Sequence, residues 1–157
     1  MKKVLFICTG NTCRSPMAEA LLKDELKDRG LSPTQVLVES AGMMATEGVP
    51  ASAEAVEVMD EVGIDISDHR SKQLTLPMVE EADQIYVMTR SHEDAINDSF
   101  PWAKEKVKVL GGGISDPFGL PVPLYRACRD QIGGAVRPIA IELYNEIYDV
   151  GYDGTDF

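Results

Sequence analysis

A cysteine and an arginine separated by five residues, with a serine directly after, stand near the start of this chain as Cys8-Thr9-Gly10-Asn11-Thr12-Cys13-Arg14-Ser15. A loop that joins the carboxyl end of a strand to the amino end of a helix turns successive backbone N–H groups inward. Such a nest, with the helix dipole behind it, binds an anion without any excess of positive charge on the protein. Gly10 allows a ligand to approach the backbone closely, and Arg14 adds a planar clamp for two oxygens of one anion. The same field favours the thiolate form of Cys8, the form that attacks. Ser15 stands where it can donate a hydrogen bond to that sulfur and so improve it as a leaving group. An isolated cysteine and arginine at this spacing would more often be a buried strand thiol and a surface arginine. Here a strand, a glycine, a helix start and a serine coincide around them, and the chemical reading is preferred.

The elements needed to position this loop are legible on either side of it. Lys3–Cys8 is a short apolar run with β-branched members, as expected of a strand buried on both faces of a parallel sheet. A helical pattern begins at Pro16 and closes at Gly30. Further strands are expected at Val36–Val38, Gln84–Met88 and Val107–Leu110. Helices are expected at Ala51–Val62, Pro77–Ala82, from Ser91 as N-cap with Asp94 three residues on, and over Val122–Asp149. Gly133-Gly134 and Pro138 are candidates to interrupt or kink the last of these. The alternation predicts an α/β fold with a central four-stranded parallel sheet and helices on both faces, in one domain over residues 1–157. Residues 151–157 read as a tail.

The composition narrows the class. With 157 residues, 44% hydrophobic and 26% charged, the chain can bury a substantial core. A net charge of −11 makes nucleic acid an unfavourable partner and requires any anion site to create its own local field. Three cysteines, Cys8, Cys13 and Cys128, form neither a secreted disulfide framework nor, with His69 and His92 isolated, a zinc site. No metal or other cofactor is expected. Four apolar residues before Cys8 fall short of the roughly 7–15 of a signal peptide. No stretch approaches the roughly 20 apolar residues of a membrane span. A cytoplasmic protein without a membrane partner is expected, and a monomer.

Beyond the loop, the chain carries Pro16-Met17-Ala18-Glu19, Ser40-Ala41-Gly42, Asp68-His69-Arg70-Ser71-Lys72-Gln73-Leu74 and Asp116-Pro117-Phe118-Gly119. In this order and spacing the segments resemble the low-molecular-weight protein phosphatases, and the likeness extends over nearly the whole length. The resemblance implies that Cys8 to Ser15 is the phosphate loop, with Cys8 as nucleophile and Arg14 holding the phosphoryl group. It implies that Asp116, after the glycines that end the last strand, is the general acid. Asn11, Ser40 and His69 then correspond to the family's polar network that supports the loop. Many relatives pair a cysteine at the place of Cys13 with the nucleophile in a reversible disulfide that spares it irreversible oxidation. Cys128 reads as a core residue.

The resemblance implies a phosphorylated protein side chain as substrate, and the loop bears on which one. Tyrosine-directed members usually carry an aliphatic residue where this chain has Thr12, and commonly follow Asp-Pro with two aromatics. Here Phe118 is followed by Gly119. With Leu124-Tyr125-Arg126 and Arg129-Asp130, these features resemble the protein-arginine phosphatase branch. Phosphoarginine is the preferred expectation, with phosphotyrosine the alternative. A thiol-dependent arsenate reductase uses the same fold but needs a further cysteine pair downstream, and no cysteine lies between Ser67 and Gly113. A non-catalytic phosphoprotein-binding module would not need Cys8, Arg14 and Asp116 together.

Overall fold

In a computed structural model, residues 1–148 are described. The sheet is built from β1 (Lys2–Cys8), β2 (Val36–Gly42), β3 (Gln84–Val87) and β4 (Val107–Val109). Its order is β2-β1-β3-β4, and every neighbouring pair is parallel. The helices are α1 (Arg14–Asp28), α2 (Ala53–Asp60), α3 (Leu76–Glu81), α4 (Arg90–Ser99) and α5 (Val122–Ile147). Short 3₁₀ turns at Pro101–Lys106 and Leu110–Gly112 flank β4.

Alternation along β1 explains the layering. Val4, Phe6 and Cys8 face a core shared with α1, α2 and α5. Leu5 and Ile7 face a second core with Val79 of α3, Ile96 of α4 and Ala103. Helices therefore cover both faces, as the two-sided apolar run of β1 requires. The connection after β1 runs to one face and that after β3 to the other, although the two strands are neighbours. This is a topological switch point, where a crevice opens beyond the carboxyl ends of the strands.

Several expected boundaries shift, for identifiable reasons. Helix α1 begins at Arg14, two residues before Pro16, which occupies its third position where the missing N–H breaks no intrahelical bond. Strand β2 continues past Val38 to Gly42, because Glu39–Gly42 pair with Leu5–Cys8. Ser52 caps α2 by accepting from the Ala55 N–H, so the helix starts at Ala53. Ser91 is not the cap of α4. Thr89 is, with its hydroxyl accepting from the His92 N–H at 3.2 Å, and Asp94 takes no part in the cap. Helix α5 is continuous through Gly133-Gly134 and Pro138. The carbonyl that the Pro138 ring crowds belongs to Gly134, whose backbone tolerates the adjustment. The end expected at Asp149 and the expected tail lie outside the described residues.

Gly42 ends β2 directly beneath the β1–α1 loop. A Cβ there would stand 2.7 Å from the Thr9 carbonyl oxygen and 3.0 Å from the Asn11 nitrogen, both backbone atoms of the loop. Only glycine leaves room for them. Gly42→Ala is expected to displace the loop and cost about 1–3 kcal/mol of stability. Any activity that relies on the loop should fall at least about tenfold, since a misplacement of 1 Å can cost about 10²-fold. Denaturant unfolding beside steady-state kinetics would check both.

Candidate active site

The loop from Cys8 to Ser15 closes around a cleft of about 220 Å³ lined by Cys8, Thr9, Gly10, Thr12, Cys13, Arg14, Asp116 and Phe118. The backbone N–H groups of Gly10, Thr12, Cys13 and Arg14 donate to no protein acceptor among the described residues. Those donors are left for an anion, at the amino terminus of a 15-residue helix. Arg14, the first residue of that helix, is buried. Its Nη1 donates to the Ile114 carbonyl at 2.9 Å, and its Nη2 lies 3.5 Å from Asp116 Oδ2.

Asn11 holds the loop in shape. It has φ of 57°, the one positive value outside glycine among the described residues. A left-handed residue that is not glycine costs about 1–2 kcal/mol. Asn11 is fully buried and offsets this with a dense set of bonds. Its N–H points to Cys8 Sγ at 3.3 Å, and its Oδ1 accepts from the Lys72 N–H at 3.0 Å. The His69 ring donates from Nε2 to the Asn11 carbonyl at 2.8 Å, because a carbonyl can only accept.

Hydrogen-bond directions in this network follow from one carboxylate and one backbone N–H. Glu19 can only accept, so Ser40 Oγ donates to its Oε1 at 2.6 Å. Ser40 in turn accepts from Asn11 Nδ2 at 2.9 Å, and the same amide nitrogen donates to Ser15 Oγ at 2.8 Å. The Lys72 contact on Oδ1 prevents the amide from being reversed. With Asn11 Nδ2 donating to its oxygen, the Ser15 hydroxyl proton is free to turn toward Cys8 Sγ, 2.8 Å away, and it donates there whenever the sulfur is a thiolate, which can only accept. Asn11 is the branch point: its amide N–H groups run through Ser40 to Glu19 on one side and to Ser15, beside the sulfur, on the other.

At the mouth, Asp116 is half exposed, with Oδ1 accepting from the Phe118 N–H at 3.1 Å. Phe118 is 71% exposed, and Thr12 is partly buried in the loop wall. All three cysteines are free thiols. Cys13 Sγ donates to Ser52 Oγ at 3.5 Å and lies 3.3 Å from the Tyr125 hydroxyl. Burial, and after it the Cys13 contact, pushes that hydroxyl up to about 12. Cys128 is buried in the core shared with α1, and burial pushes its thiol up to about 12, which leaves almost no thiolate at neutral pH. Among the described residues no three His, Cys, Asp or Glu side chains gather to hold a metal ion.

The structure thus brings Cys8, Arg14, Asp116, Thr12 and Phe118 to one cleft, with Asn11, Ser15, Ser40 and His69 beneath or behind it. Sequence reading missed Glu19, Ser52, Tyr125 and His92 as members of the site. Glu19 could have been found, since a helix beginning at Arg14 sets it about one turn beyond Ser15. His92 and Tyr125 are 83 and 112 residues from their partners and carry no local signal.

Comparison with known proteins agrees with this geometry. The model of the low molecular weight phosphotyrosine protein phosphatase family matches residues 3–148. The chain belongs to this family. A protein-arginine-phosphatase of Geobacillus stearothermophilus is 42% identical over 151 residues, spanning 92% of this chain and 97% of that protein. The YwlE arginine phosphatase structure from the same organism superposes with a TM-score of 0.85 at 41% identity, covering 95% of this chain and 97% of that one. A low molecular weight protein tyrosine phosphatase from T. tengcongensis superposes nearly as well, with a TM-score of 0.84 at 38% identity over 90% and 99% of the two chains. Family membership fixes the class, a cysteine-dependent protein phosphatase.

Asn11→Ala keeps the positive φ but leaves Ser15, Ser40 and the Lys72 N–H without their partner. It is expected to lower stability by about 2–4 kcal/mol, from several lost buried bonds. Asn11→Gly loses the same bonds but accepts the backbone angle, and should be about 1 kcal/mol more stable than Asn11→Ala. Urea unfolding of the pair separates the strain from the network.

Proposed function

We propose that this chain dephosphorylates phosphoarginine in proteins through a cysteinyl-phosphate intermediate. The observation that carries the mechanism is the Asn11 amide, whose N–H groups bond Ser40, itself held on Glu19, and Ser15, whose hydroxyl lies 2.8 Å from Cys8 Sγ. It supports a stabilised thiolate facing an anion nest. In the first step, Arg14 and the loop N–H groups hold the phosphoryl oxygens, and Cys8 sulfur forms an S–P bond as the P–N bond to the guanidinium breaks. Asp116 gives its proton to the departing nitrogen. In the second step Asp116, now a carboxylate, takes a proton from water as the water oxygen bonds to phosphorus. The S–P bond breaks, and Ser15 stabilises the released thiolate. Inorganic phosphate leaves.

Phosphoarginine is favoured over phosphotyrosine by the cleft wall. Thr12 puts a polar side chain in the cleft wall where tyrosine-directed members usually carry an aliphatic one, and its hydroxyl can orient the attacking water. Phe118 is the one aromatic among the lining residues, and Asp116, while it carries the proton it will give up, still offers a carboxyl oxygen that can accept from a guanidinium N–H. Similarity to the Geobacillus stearothermophilus enzyme supports the same reading. Phosphotyrosine by the same steps is the second reading, favoured by the comparable fit to the T. tengcongensis phosphatase. An arsenate reductase is disfavoured, because no cysteine between Ser67 and Gly113 could carry oxidation away from Cys8. Cys13 belongs to the proposal as a redox guard: once a peroxide has converted Cys8 to a sulfenic acid, the Cys13 thiol displaces water to form a disulfide.

Cys8→Ser is expected to abolish turnover while inorganic phosphate still binds, measured by phosphate release and by calorimetry. Asp116→Ala should form the phosphoenzyme slowly and hydrolyse it slowly, with a loss of about 10²–10⁴-fold in kcat. Trapping on acid quench would reveal the intermediate. Thr12→Ile should lower the preference for a phosphoarginine peptide over a phosphotyrosine peptide. An unchanged ratio of kcat/KM would remove Thr12 from the account of specificity.

A further inference from the structure

The Thr9 hydroxyl stands at the switch-point crevice, 2.9 Å from Nε2 of His92 on the neighbouring helix α4. Thr9 lines the cleft beside Cys8 and Asp116 and is exposed to it. His92 is 9% exposed, and its Nδ1 is buried with no partner among the described residues. A buried polar atom without a partner is unfavourable, so packing alone does not account for this ring. Leucine would fill similar space without that cost. What the ring does supply is one bond, to Thr9 Oγ1.

The geometry points to Thr9 and His92 as a specificity-determining pair, in which His92 fixes the Thr9 hydroxyl as a hydrogen-bond acceptor on the cleft wall for an N–H of the phosphorylated guanidinium. This rests on the phosphoarginine reading above and adds residues to it. The acceptor exists in either tautomer of His92. If Nε2 donates, Oγ1 keeps a free lone pair. If Thr9 donates, Oγ1 keeps both. Burial, and then the positive charge of Arg14, holds the His92 ring below the usual imidazole range, while Asp116 acts in the opposite direction. A neutral ring adds no second cation beside the substrate's own. The aromatic ring of phosphotyrosine has no N–H to offer the acceptor, and would leave it desolvated. A phosphoarginine side chain can pair with both Asp116 and Thr9.

The test measures kcat/KM on two peptides of the same flanking sequence, one with phosphoarginine and one with phosphotyrosine. The variants are Thr9→Val, His92→Leu, the double variant and His92→Gln. Thr9→Val and His92→Leu should each lower the phosphoarginine-to-phosphotyrosine ratio about tenfold, the worth of one hydrogen bond. The double variant should match Thr9→Val, because His92 acts through Thr9. His92→Gln, which keeps a polar group near the place of Nε2, should restore much of the ratio. Should His92→Leu not fold, Thr9→Val and His92→Gln carry the test. An unchanged ratio, or equal slowing on both peptides, overturns the inference and makes the pair a structural brace. A double variant whose loss is the product of the two singles overturns the coupling. A wild-type protein that does not hydrolyse phosphoarginine overturns the substrate reading itself, and the pair with it.

Discussion

Everything at the cleft depends on Asn11 staying at a backbone angle that an L-residue with a side chain resists. The loop must turn sharply to bring its N–H groups to one point, and φ of 57° at Asn11 is how it turns. Glycine would adopt the angle freely, but would surrender the side chain that joins Ser15, Ser40 and the Lys72 N–H. The strain and the network are therefore one device. Its bonds reach β2, α1 and the 69–72 segment, so the loop is rigid before any ligand arrives. Preorganised donors of this kind need no rearrangement when charge develops during reaction.

The rest of the fold serves that device. Parallel pairing of β1 with β2 brings Gly42 beneath Thr9 and Asn11, where no side chain fits. The 69–74 segment holds the loop from outside, with His69 on the Asn11 carbonyl and Lys72 on its amide, while Gly42 bonds Lys72 and Leu74 in turn. On the far side, Ile114 and Asp116 hold the Arg14 guanidinium, so its charge is buried with partners rather than alone. A chain with net charge −11 attracts an anionic substrate only because these fixed dipoles and one buried arginine act locally.

Much of this was legible in the residues. Cys8, Arg14 and Ser15 lie within eight positions, and the chemistry proposed for them rests on their type and spacing. The sheet and the two-sided covering follow from the apolar runs, whose period and length dictate where they can be buried. The cap of α4 was misread, because Ser91 and Thr89 are both competent caps and the choice depends on where β3 ends. The boundaries of α1, β2 and α2 moved for similar reasons, through pairing and capping partners that local pattern does not contain.

By itself, then, the sequence pointed to the reaction class, because the Cys8–Ser15 loop, Ser40, His69 and Asp116-Pro117 stand in the order and spacing of one phosphatase family. Only the tertiary structure decided how the Asn11 amide faces Ser15 beside Cys8, because that orientation is set by the Lys72 N–H, Ser40 and Glu19 through contacts across elements. Only it brought Tyr125 and Ser52 to Cys13, and His92 to Thr9. Such partners lie tens of residues away, and no periodicity or propensity encodes a meeting that the sheet order alone brings about.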